Sequence, residues 1–131
     1  MINTNVFDYI GVLGRAADAS WLRDELINNN IANVSTPGYK RQDTNFEDEF
    51  KRALSRQNFE PMDTKVRRLA TDLASVSVKA YTDGRNVSYR VDGNNVDIDT
   101  ENVMLAKNQI KYQGLTQAIA QEFSNLSTVM K

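Results

Sequence analysis

The chain has 131 residues, with 16 Lys and Arg against 17 Asp and Glu, and a formal net charge of −1. One domain's length with 40% hydrophobic and 25% charged residues fits a folded soluble protein and excludes a strongly basic footprint for nucleic acid or anionic lipid. There is neither Cys nor His. This removes disulfides, thiolate metal sites, Cys nucleophiles and the commonest general base, and it weighs against catalysis.

No apolar run approaches the about 18–20 residues that span a bilayer. Residues 1–8 lack the basic and apolar regions of a secretory signal. These rules predict a cytosolic protein unless a signal-free export route exists.

In chain order, the first element is an amphipathic helix from about Thr4 to Val34. Val12, Ala16, Ala19, Leu22 and Leu26 recur at spacings of three and four, and Val6, Ile10, Leu13 and Ala17 form a second row. Trp21 reads as a packing anchor. Asn28, Asn29, Asn30 and Asn33 are poor helix formers, and Pro37 stops the helix by about Ser35. Pro37-Gly38 suits the centre of a type II turn, so residues 36–43 form a turn and linker. The amides allow two readings: a helix end weakened by Asn, or contacts to the backbone and side chains of adjoining subunits.

Residues 44–58 predict a short helix. Thr44-Asn45-Phe46-Glu47 fits a capping box, and Phe46, Phe50, Ala53 and Leu54 share one face. Residues 59–95 form a middle segment in which Pro61 opens a polar connection. Ala74, Val76, Val78 and Ala80 then alternate with polar residues, Asp83-Gly84 marks a turn, and Val87, Tyr89 and Val91 alternate after it. This predicts a β-hairpin over about 73–91.

Residues 96–131 predict the second long helix. Ile98, Leu105, Tyr112, Ile119 and Leu126 recur every seven residues. The companion positions Glu101, Asn108, Leu115, Glu122 and Val129 are only partly apolar, which argues against a simple two-stranded zipper. Asp97, Asp99 and Glu101 suit the positive end of the helix dipole. The expected fold is mainly α and elongated: long N- and C-terminal helices packed as a coiled-coil-like pair, with a short central helix and a small hairpin. The expected packing seam comprises Leu22, Leu26, Ile98, Leu105, Tyr112, Leu115, Ile119 and Leu126, with Ile31 a further N-terminal partner.

Other motifs carry less. A calcium loop begun at Asp92 would need Gly at its sixth position and Glu at its twelfth, where Asp97 and Val103 stand. The basic residues between Lys40 and Arg68 are interleaved with acids, as on a solvated surface. Gly11-x-x-Gly14 lacks the strand and the Lys-Ser/Thr of a phosphate loop.

The stretch Asn30-Ile31-Ala32-Asn33-Val34-Ser35-Thr36-Pro37-Gly38-Tyr39-Lys40 resembles the N-terminal signature of the bacterial flagellar rod and hook axial proteins. Asp92-Gly93-Asn94-Asn95-Val96-Asp97-Ile98-Asp99-Thr100-Glu101, followed by Lys107-Asn108-Gln109-Ile110-Lys111-Tyr112-Gln113, is similar to the C-terminal region of the proximal rod members. The resemblance spans nearly the whole chain. It implies a structural subunit without catalysis, cofactor or metal, whose terminal helices pack with those of neighbours into a hollow tube. Implied partners are other copies of the chain, rod proteins of the FlgC, FlgF and FlgG type, the FliE adaptor with the MS ring, and the flagellar type III export apparatus; neither nucleic acid nor a small-molecule substrate is implied. The implied location is the rod within the periplasm, reached without a cleaved signal peptide. Asn29, Asn30, Ile31, Ala32, Asn33, Thr36, Pro37, Gly38 and Tyr39 become the expected assembly motif. The alternatives are the paralogous rod protein FlgC and, from a different class, a stand-alone helical binding module.

Overall fold

The computed structural model describes residues 5–55, 61–84 and 90–130. The elements are α1 (Asn5–Ala32), β1 (Gln42–Thr44), α2 (Phe46–Ser55), α3 (Met62–Ser75), β2 (Ala80–Thr82) and α4 (Ile98–Val129). With 28 and 32 residues, α1 and α4 are about 42 and 48 Å long at 1.5 Å per residue. They run antiparallel: Asn30 meets Glu101, Ser20 and Asp24 meet Asn108, and Ala16 shares a cleft with Leu115. The mainly α fold with two long terminal helices packed together matches the expectation. No helix among the described residues is long and apolar enough to cross a membrane.

The core lies toward one side of α1. Val12, Ala16 and Ala19 pack with Phe46 and Ala53 of α2 and with Leu69 and Leu73 of α3, and Leu115 of α4 closes the edge. Small residues on α1 let the neighbouring helices approach closely. The Phe46 and Phe50 rings stack with centroids 6.0 Å apart, a separation at which aromatic pairs attract beyond their buried area.

α4 starts where the acids predict. Asp97 caps the helix, its Oδ1 accepting from the Asp99 and Thr100 N–H groups at 3.1 and 3.4 Å. The Pro37-Gly38 turn closes with the Tyr39 N–H donating to the Thr36 carbonyl, and Gly38 has φ 73°, a conformation glycine adopts without steric cost.

The middle of the chain departs from expectation. Residues 62–75, read as a polar connection running into a strand, form helix α3. Val66, Leu69, Ala70 and Leu73 recur at helical spacing, and burial of Leu69 and Leu73 against α1 outweighs the alternation that begins at Ala74. Only Ala80–Thr82 becomes a strand, and its partner is β1: Gln42 pairs with Thr82, Asp43 with Tyr81 and Thr44 with Ala80. Residues 85–89, which would supply the second arm of the expected hairpin, lie outside the described residues, as do residues 56–58 of the expected short helix.

The expected capping box is absent. Glu47, its reciprocal member, accepts from Arg23 Nη1 at 3.1 Å and Lys111 Nζ at 2.6 Å. The carboxylate thus ties α2 to both long helices. Leu73→Ala should lower unfolding stability by about 2–4 kcal/mol, as expected for a fully buried leucine. Denaturant unfolding checks this, and a loss below about 0.5 kcal/mol would place α3 outside the core.

Candidate functional site

The two sequence stretches flanking the long helices meet in one buried polar clasp. Arg41, on the strand side of the Pro-Gly turn, is only 6% exposed and Glu101 in the first turn of α4 only 1%. A buried guanidinium costs several kcal/mol unless neutralised and fully hydrogen-bonded. Here its Nε donates to Glu101 Oε1, Nη2 to Asp43 Oδ2 at 2.9 Å, and Nη1 to Asp83 Oδ2 at 3.2 Å. Burial opposes its charge, but the hydrogen bonds and charges of Glu101 and Asp43 outweigh it and raise the Arg41 pKa above its ordinary value. Asp43 is also buried, which favours its neutral form. The Thr44 N–H, Arg23 and Arg41 overcome this and lower its pKa.

Asn30 occupies the other side of Glu101 and is fully buried. Its Nδ2 donates to Glu101 Oε2 at 3.0 Å and to the Gln42 carbonyl at 2.8 Å. Its Oδ1 accepts from the Gln42 N–H at 2.9 Å and the Tyr39 hydroxyl at 3.2 Å. Both donors and both acceptor positions are therefore used within the chain. The amide mimics a strand backbone and holds the entry to β1 against the end of α1. Burial and the Glu101 charge together raise the Tyr39 pKa, so Tyr39 keeps the proton it donates.

Asn94 is the reciprocal lock from the C-terminal stretch. It is fully buried, and its Nδ2 donates to the carbonyls of Asn33, Val34 and Thr36 at 2.9–3.0 Å. Those carbonyls belong to the turn that follows α1, where the chain leaves the helix, and the Asn94 amide adds to the donors they already have from the Thr36 and Tyr39 N–H groups and Arg90 Nη1. The Gly38 N–H donates to the Asp92 carbonyl at 2.8 Å, and Asn95 bridges the Arg41 N–H and the Asp83 carbonyl. Further along α4, Asn108 Nδ2 donates to the Ser20 carbonyl at 2.6 Å and to Asp24 Oδ1 at 2.9 Å.

The expected assembly motif therefore divides. Asn30 is internal, and Ile31, Asn33 and Tyr39 are half-buried. Asn29, Ala32, Thr36, Pro37 and Gly38 are exposed. Of the expected seam, Leu26 is buried; Leu22, Leu105, Tyr112, Leu115, Ile119 and Leu126 are half-buried, and Ile98 is 43% exposed. The most buried α4 residues are Glu101 and Asn108, the polar companions in the heptad pattern. Trp21 does not anchor packing within the chain, being 60% exposed. Sequence reasoning missed Arg41, Asp43, Asn94 and Asn108 as structural groups. Their signal was an Arg between the turn and a short strand, and polar Glu101 and Asn108 at the companion heptad positions of a long helix.

Among the described residues, no group of three or more His, Cys, Asp or Glu side chains is placed to hold a metal ion. The acids around Arg41 are engaged by a guanidinium. The fold and site together define a helical protein built on a long antiparallel pair whose two flanking motifs are clasped by buried amides and one buried cation. No protein-family profile matches the chain. It is 34% identical to the flagellar basal body rod protein FlgB of Bacillus subtilis, over 90% of this chain and 89% of the relative. FlgB of Borrelia hermsii is 33% identical over 97% and 99% of the two chains, and FlgB of Cereibacter sphaeroides is 33% identical over 98% of each. The chain belongs to the FlgB family of flagellar basal body rod proteins, which sets the FlgC reading aside.

Two predictions follow from the clasp. Asn30→Asp keeps the shape but loses the amide donors and sets a second carboxylate against Glu101. It should cost at least about 2–3 kcal/mol of unfolding free energy, and an unchanged denaturation midpoint would remove Asn30 from the clasp. The pKa values of Asp43 and Glu47 are lower in the folded chain than their ordinary values. Their contribution to stability is thus complete above the unfolded values of about 4 and is lost as pH falls below them toward the folded values. Unfolding free energy should decline below about pH 4, with a shallower slope in Asp43→Asn. The same slope in both proteins would contradict the role given to Asp43.

Proposed function

We propose that the chain is a structural subunit of the proximal rod, assembling through its terminal helices into a hollow tubular drive shaft that transmits torque and conducts exported subunits. The observation carrying this reading is the end-to-end likeness to flagellar basal body rod proteins, in a chain whose long helices leave bulky apolar residues uncovered. Phe7 and Trp21 on α1, and Val103 and Ile110 on α4, are each more than half exposed. Exposed rows of this kind are normally covered by partners.

In this reading the buried clasp holds α1 and α4 in one register, so that load on either helix passes to the other through Arg41, Glu101, Asn30 and Asn108. The exposed part of the motif, Asn29 and Ala32 at the end of α1 with Thr36, Pro37 and Gly38 of the turn, then faces neighbours. The partners are other copies of the chain, rod proteins of the FlgC, FlgF and FlgG type, and the FliE adaptor with the MS ring. The subunit reaches the periplasmic rod through the flagellar type III export apparatus, without a cleaved signal peptide. The absence of Cys suits passage as an extended chain.

Leu105 lies half-buried on α4, within the expected seam of the helix pair. Leu105→Asp should abolish incorporation into the rod while leaving secretion intact, read from isolated basal bodies and culture medium. Normal motility in that variant would contradict the seam.

A further inference from the structure

Between α1, α2 and α4 lies a cleft of about 340 Å³, floored by Ala16, Phe46, Phe50 and Leu115, with Lys51 and Lys111 on its rim. The volume lies within the range of clefts that enclose small organic groups, about 300–1,000 Å³, and is roomy enough for one large aromatic ring. Glu47 also lines it and is paired with Lys111 and Arg23, so the rim sets two lysines, Lys51 and the paired Lys111, against one carboxylate.

Trp21 is the only tryptophan of the chain, and 60% of it is exposed. Asp18 and Glu25, three residues before it and four after, stand exposed on the same face of α1. An aromatic knob flanked by two acids thus faces outward, and an apolar socket flanked by two lysines lies elsewhere on the surface. Ala16 in the socket floor precedes Trp21 by five residues, about 140° around the helix, so a subunit's knob points away from its own socket.

We propose that Trp21 of one copy seats in the α1–α2–α4 cleft of the next copy, with its flanking Asp18 and Glu25 meeting Lys51 and Lys111. The occupant is a second copy of this chain. The complementarity of the two surfaces in shape and charge supports it, and the proposal rests on the assembly reading above. Knob and socket are different surfaces, so the contact is heterologous. Repetition of such a contact closes a ring or propagates an open helix. A desolvated tryptophan between ammonium groups gains from both apolar burial and cation–π attraction.

The chain contains no Cys, so an introduced pair reports the contact cleanly. Cells carrying D18C/K51C as their only copy are oxidised and their basal bodies isolated and separated on a denaturing gel. The proposal expects a ladder of disulfide-linked multiples of the 14.8 kDa chain, which an intrachain bond cannot produce. Only monomer, in basal bodies that contain the variant, would overturn the contact and leave the assembly reading standing. Absence of the unmodified chain from basal bodies would overturn both. Independently, D18K and K51E should each reduce the fraction of swimming cells about tenfold, with recovery in D18K/K51E. No recovery, with both chains folded by circular dichroism, would count against the contact.

Discussion

Everything in this subunit depends on neutralising one buried cation. Arg41 reaches the interior only because Glu101, Asp43 and Asp83 converge on it from α4, β1 and the chain after β2. Removing Arg41 would leave the Glu101 carboxylate buried without its cation, where an unmatched ion costs several kcal/mol. The three acids come from segments up to 60 residues away in sequence. The clasp therefore completes only when the C-terminal stretch has docked on the N-terminal one. Long-range closure of this kind couples the ends of the chain.

The same constraint explains why the helix pair has one register. A row of apolar residues repeating every seven positions is nearly indifferent to a slip of one heptad. Glu101 and Asn108 are not, because each fits a specific partner on the facing element. A one-heptad slip would place Asn108 where Glu101 must meet Arg41 and would strand a buried guanidinium. Polar groups inside coiled-coil seams commonly trade stability for register in this way.

The long terminal helices were legible because their apolar spacing runs for many turns, and the start of α4 because Asp97 sits where a cap is needed. The Pro37-Gly38 turn followed from backbone sterics alone. Helix α3 was not legible, because the Ala74–Ala80 alternation overlaps its end and Leu69 and Leu73 declare themselves only when α1 is beside them. The capping box failed for a related reason: Glu47 found stronger cationic partners in Arg23 and Lys111. The site was half legible. The Asn-rich motif stood out, yet the alternatives of a weakened helix end and an external contact both missed that Asn30 and Asn94 satisfy backbone groups of the same chain. Hydrogen bonds between residues 60 or 70 apart leave no local periodicity.

The central claim is that Arg41 and Glu101 act as one unit. A double-mutant cycle tests it directly, using Arg41→Met, Glu101→Met and the double variant, with unfolding free energies from denaturant titration. Each single change should cost about 3–5 kcal/mol by leaving its partner charged and buried, while the double change should cost far less than the sum. Losses that simply add would show that the two residues stabilise the fold independently, and the clasp would no longer explain how the two ends are joined.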